Sequence, residues 1–122
     1  MERGQVAIES FEQLEVWKAA HKLVLGVYEV CSRMPSDQRF GLISQMHRAA
    51  VSVPANIAEG FKRRSARDKA RCCNVAQRSL EETRYYLILC RDLGYPANYG
   101  EVAAQVDPIG RMLTALIRSV RG

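Results

Sequence analysis

No stretch of the sequence approaches the roughly 18 uncharged apolar residues of a membrane-spanning helix, so no membrane span is expected. The first residues, MERGQVAIESFEQ, lack the apolar centre of a secretory signal, which makes a cytoplasmic protein the expectation. Cysteine is sparse, and Cys31, Cys72, Cys73 and Cys90 form no Cys-x-x-Cys pair of the kind zinc sites use. All four fall inside apolar periodic segments and read as reduced, buried small hydrophobes. No glutamate stands three residues before a histidine, which removes the inward Glu-x-x-His pairs of di-iron helical bundles. His21 and His47 are isolated from carboxylates in sequence and read as helix-surface residues. Neither a Gly-x-x-x-x-Gly-Lys phosphate loop nor a Gly-x-Ser-x-Gly elbow occurs. No catalytic residue, metal ligand or cofactor site is therefore expected. No segment alternates as a strand would, and there is neither an internal repeat nor a low-complexity tract.

What is present is an ordinary globular composition, 48% hydrophobic and 25% charged, in 122 residues. That is the size of one core, so residues 1–122 are expected to form a single domain, with 1–11 as a loosely ordered tail. Four segments repeat apolar residues at spacings of three and four, the pattern of a helix that buries one stripe. The first runs from Leu14 to Arg33 with Trp17, Ala20, Val24, Val27 and Cys31 inward, and Pro35 stops it. The second runs from Phe40 to Phe61, with Pro54 inside it predicting a kink. The third carries Cys73, Ala76, Leu80, Thr83, Leu87, Cys90 and Gly94 in a seven-residue repeat. Ser65 and Asp68 suit its start, and Gly94 its end. The fourth opens at Asn98, where Glu101 completes a capping pattern, and continues to Val120; Pro108 predicts a bend or broken first turn. Four long helices joined by short turns specify an all-α, antiparallel up-down-up-down four-helix bundle.

Charge is unevenly placed. Residues 60–78 hold seven Lys and Arg against one acid, a local excess of +6, while the flanking parts carry −1 and 0. Lys62, Arg63, Arg64, Arg67 and Lys69 crowd the start of the third helix, where free backbone amides and the positive end of the helix dipole add to them. Phosphate is the natural counter-ligand, and the plain alternative is a solvated basic corner. Arg111, Arg118 and Arg121 share a sector of the fourth helix and could extend the patch. A second feature is the polar stripe Arg48, Ser52, Asn56 and Glu59, one face among small residues. It reads as a buried seam between helices, paired with Arg71 or Arg78, or as a ligand site; the seam is the expectation, because a buried carboxylate must be paired. Val16, Leu25 and Val51 fall outside the apolar stripes and are expected between subunits.

The runs Phe11 to His21, Phe40 to Gly60 (with Ser-Val-Pro-Ala-Asn-Ile-Ala-Glu-Gly), Ser79 to Thr83 and Asp92 to Tyr95 resemble one four-helix-bundle family. Its founding members are encoded in intervening sequences of bacterial large-subunit ribosomal RNA genes. The resemblance spans about residues 11–120 and implies an up-down subunit assembled as a homopentameric ring. A distant branch, the accessory protein of diversity-generating retroelements, is similar in fold and binds nucleic acid and a reverse transcriptase through a basic surface. By analogy, RNA or DNA and a nucleic-acid-processing protein are candidate partners. The leading expectation is a non-catalytic, oligomeric nucleic-acid-binding protein. A homo-oligomeric interaction scaffold is the alternative, and a nucleotide-binding protein using the start of the third helix comes third.

Overall fold

The computed structural model describes residues 8–121, so most of the expected tail lies outside the described part. Where the tail joins the described part, Ser10 caps a 3-10 turn, Phe11–Gln13, and the Gln13 side chain accepts from the amide of Ser10. The Phe11 ring lies 5.2 Å from that of Trp17.

The first helix, α1 (Glu15–Ser32), buries Ala20, Leu23, Val24, Val27, Val30 and Cys31. Trp17 is only half-buried, packed edgewise on Phe11 and stacked on His21, while Val16 beside it is buried within the subunit. Val16 was expected between subunits; the buried stripe of α1 is wider than the expected one and takes in Val16, Leu23 and Val30 as well. Pro35 ends α1 as expected, and a 3-10 turn (Ser36–Gln38) and a π-helical turn (Arg39–Ile43) precede α2 (Ser44–Lys62). The helix continues through the buried Pro54. After three residues α3 (Ala66–Asp92) begins, its Asp68 amide donating to the Ser65 hydroxyl at 3.0 Å.

The seven-residue repeat of α3 is its inward seam: Cys73, Ala76, Leu80, Thr83, Leu87 and Cys90 are all buried. Gly94 follows at φ +82°, and the amides of Gly94 and Tyr95 donate to the carbonyls of Arg91 and Cys90. This closure satisfies carbonyls that a helix end would leave bare, and only glycine enters it without strain.

The last segment is two helices, a short α4 (Tyr99–Ala103) and α5 (Val106–Arg121), separated by Ala104 and Gln105. The break precedes Pro108, which becomes the third residue of α5, where its missing N–H costs nothing. The expected Asn98 cap does not form: its side-chain NH2 donates to the Glu101 carboxylate at 3.0 Å, while the side-chain oxygen that a cap requires accepts from no backbone amide of the helix.

Helix α2 packs on α1 and α3, and α5 closes the ring against α3 and α1. The architecture is an all-α four-helix bundle with no strand among the described residues. Leu23, Met46, Ile57, Leu80, Leu87, Ile109 and Leu113 fill its centre with less than 2% exposure or close to it. Burying such side chains is worth about 1.5–3 kcal/mol each, the main support of the fold. All four cysteines are buried and free. Burial, reinforced by neighbouring Cys90, pushes the Cys31 thiol up to about 12. The thiol is thus protonated and packs on Met46. Among the described residues, no helix is long and apolar enough to cross a membrane.

Candidate nucleic-acid interface

The link between α2 and α3 is three residues long, so the C-terminus of one helix and the N-terminus of the next meet at one corner of the bundle. Lys62, Arg63, Arg64 and Arg67 are all exposed there. They are not equivalent. Arg63 forms an ion pair with Glu59 one turn back on α2, which raises its own pKa further. Lys69, expected on phosphate, is half-buried and donates to the carbonyls of Gly60 and Phe61 at 3.4 and 3.2 Å. It thereby caps the negative end of α2, whose last carbonyls have no partner within the helix. Lys62, Arg64 and Arg67 make no ion pair among the described residues. These three, beside the amino end of α3, form the part of the cluster available to an anion.

Arg121 joins them. It lines a hollow with Arg67, Arg71 and Asn74, so the end of α5 lies against the start of α3. Arg118 and Arg111 lie further along α5 in a separate groove with Gln77, Arg84 and Asp107. There Arg84 donates to Asp107 at 2.6 Å and to Glu81 at 3.1 Å. The Arg84 guanidinium, with a smaller contribution from Arg111, holds the Asp107 carboxyl below its ordinary range. Gln77 and Arg84 escaped the sequence reading; their spacing of seven on α3, matched by Arg111 and Arg118 on α5, is the signal that they share one face.

The polar seam forms from Ser52 and Asn56 of the expected stripe, joined by Ser79 and Thr83 of α3. Asn56 donates to the carbonyl and hydroxyl of Ser52 at 2.8 and 3.0 Å, Ser79 donates to the Ser52 hydroxyl at 2.8 Å, and Thr83 donates to the Ser79 carbonyl. Glu59 and Arg71 were expected buried and paired; both are exposed, with Glu59 on Arg63 and Arg71 on Asp68 at 3.0 Å. Arg48 is exposed as well. Glu59 and Arg71 each find a partner about one turn away along the chain, where they keep contact with water. What brings α2 and α3 together there is Gly60: a Cβ on it would stand 3.0 Å from the Cys72 Cβ. The adjoining cavity, about 210 Å³, has Glu59 and Asp68 against Arg63 and Arg71. Carboxylates that neutralise both arginines make this a poor phosphate pocket, which counts against the nucleotide-binding reading. His47 stacks face to face on Tyr28 at 3.8 Å, and burial lowers its pKa.

The family described as 23S rRNA-intervening sequence protein matches residues 12–115. The chain belongs to that family. Among solved structures, it resembles a protein of unknown function from the S23 ribosomal protein family of Bacteroides thetaiotaomicron VPI-5482. The TM-score is 0.76 at 23% identity, covering 84% of this chain and 97% of the other. At that identity the likeness speaks for the bundle fold. A comparison with curated proteins finds no significant match. As a 23S rRNA-intervening sequence protein the chain carries the expected motif: in Ser-Val-Pro-Ala-Asn-Ile-Ala-Glu-Gly, Ser52 and Asn56 form the seam, Val53 and Ile57 enter the core, and Gly60 allows the close approach. The motif is thus accounted for by packing, and the basic corner stands outside it.

Proposed function

We propose that this protein is a non-catalytic, self-associating nucleic-acid-binding protein that holds the phosphate backbone of RNA or DNA. The observation that carries the reading is the corner where Lys62, Arg64 and Arg67 stand exposed without ion pairs among the described residues, at the amino end of a long helix and next to Arg121. Cations without carboxylate partners release counterions from a bound polyanion, and the dipole end adds attraction. The family's link to ribosomal RNA genes is consistent with an RNA ligand. Self-association is supported by exposed Leu25, Val51, Tyr85 and Leu93 on the bundle surface. The family resemblance implies a five-membered ring, and several weak patches on one ring would bind a long strand with avidity.

The test is affinity for labelled RNA and DNA across a salt series. Four phosphate contacts per subunit predict a slope of log affinity against log salt of about −3.6 on a duplex. Lys62→Glu, Arg64→Glu, Arg67→Glu should weaken binding and flatten the slope, with little dependence on base sequence. An absence of binding by the parent at low salt would overturn the proposal in favour of an interaction scaffold.

A further inference from the structure

We infer that the groove between α3 and α5 is the track of a single sugar-phosphate strand, entered at the basic corner and closed at its far end by an ionic latch. This inference rests on the nucleic-acid reading above and deepens it, since it names the path the ligand takes across the subunit. The groove is open and about 690 Å³, with Gly110 and Ala115 keeping its α5 wall low. Arg67 and Arg121 line a separate hollow on the same two helices, with Arg121 three residues on from the groove's Arg118. Arg118 is one turn back from Arg121, and Arg111 two turns further. Over these ten residues α5 rises about 15 Å, the span of two to three phosphates. Its sides are polar between the cations: Gln77 donates to the Thr114 hydroxyl at 2.9 Å, which donates to the Gly110 carbonyl. No aromatic side chain lines the groove, so bases have no platform to stack on, and contact falls to the backbone.

The far end differs in charge. Glu81 on α3 and Asp107 at the start of α5 both accept from Arg84, which ties the two helices across the groove. With Arg111 beside Asp107 the charges at that end balance, and Arg84, held by two carboxylates, is not free to meet a phosphate. The strand therefore runs from Arg67 and Arg121 past Arg118 to Arg111 and leaves the surface there.

The experiment uses the full chain, with a fluorescent oligouridine and an RNA duplex of equal length as probes, each across a salt series. Arg111→Gln, Arg118→Gln should reduce the magnitude of the slope by about 1.4 on a single strand and about 1.8 on a duplex. Lys18→Gln, Lys22→Gln on α1 removes the same charge far from the groove and should leave the slope unchanged. Glu81→Gln, Asp107→Asn unlocks Arg84 and should steepen the slope by about 0.7 on a single strand, which tests the track in the opposite direction. Light scattering and circular dichroism confirm that each variant assembles as the parent does. A loss confined to the oligouridine assigns the ligand as a free single strand, and an equal loss on the duplex assigns it as one strand of a helix. If the parent binds but the Arg111, Arg118 variant keeps its slope, or loses no more than the α1 control, the track is wrong while the corner stands. If the latch variant keeps the parental slope, the far end is not closed by charge and that part of the proposal falls. If the parent binds neither probe at low salt, the nucleic-acid reading itself fails.

Discussion

At the scale of single residues, the fold depends on contacts too close for a side chain to intrude. Gly60 is the clearest, because a methyl group there meets the Cys72 Cβ at 3.0 Å, and neither atom can rotate away. Gly60→Ala should therefore push α2 from α3 and cost about 1–3 kcal/mol, seen as a lower urea midpoint with an unchanged m-value. Gly100→Ala is the control, since a Cβ on Gly100 meets nothing within 4 Å, and its stability should stay within about 0.5 kcal/mol of the parent. An equal loss in both would mean that close approach is not what Gly60 provides. The hydroxyls of Ser52, Ser79 and Thr83 make the same point from the polar side: Ser79 donates to Ser52 across the interface between α2 and α3, and Thr83 donates to the Ser79 carbonyl, so each hydroxyl there has a bonded partner.

Between elements, the question is how one helix hands the chain to the next. The three-residue link from α2 to α3 leaves the last carbonyls of α2 facing the first turns of α3, and Lys69 fills that gap. Its ammonium completes the end of a neighbouring helix, which separates it from Arg67 two residues earlier, exposed and unpaired among the described residues. Lys69→Met should lower stability by about 0.5 kcal/mol in thermal or urea unfolding while weakening nucleic-acid binding less than Arg67→Met does. A larger loss of binding from Lys69→Met than from Arg67→Met would show that Lys69 leaves its carbonyls to meet phosphate. The turn from α3 is managed differently, by Gly94 and two backbone bonds, with no charged side chain involved.

For the whole molecule, burial inside one subunit does not account for every apolar side chain. Leu25 and Val51 remain 58% and 41% exposed, on α1 and α2, neither of which lines the α3–α5 groove. An assembly through that face would leave the basic groove open to a ligand. Light scattering should report a mass several times that of one chain at micromolar concentration, and Leu25→Glu, Val51→Glu should lower it towards the single chain by placing charge in the contact. A monomeric parent, or a double variant of unchanged mass, would exclude this face. An assembly of the proposed kind multiplies one patch, so the parent should also bind a long strand more tightly than a short one, with the difference lost in the double variant.

The sequence alone determined the four helical segments, the α3 seam, the stop at Pro35, the cap at Ser65, the closure at Gly94 and the location of the positive charge. Each follows from residues within a turn or two of one another, where periodicity and capping leave little choice. Tertiary structure decided which cations are spoken for, that Glu59 faces Arg63 and water, that Ser79 completes the seam, and that Arg111, Arg118 and Arg84 share a groove. Long charged side chains choose among partners that differ by under about 1 kcal/mol, so their pairing follows from which helix ends and faces meet. The break ahead of α5 is of the same kind: Pro108 announced an irregularity, but Val106 is buried completely, and the chain bends where it does so that Val106 and Ile109 can both reach the core.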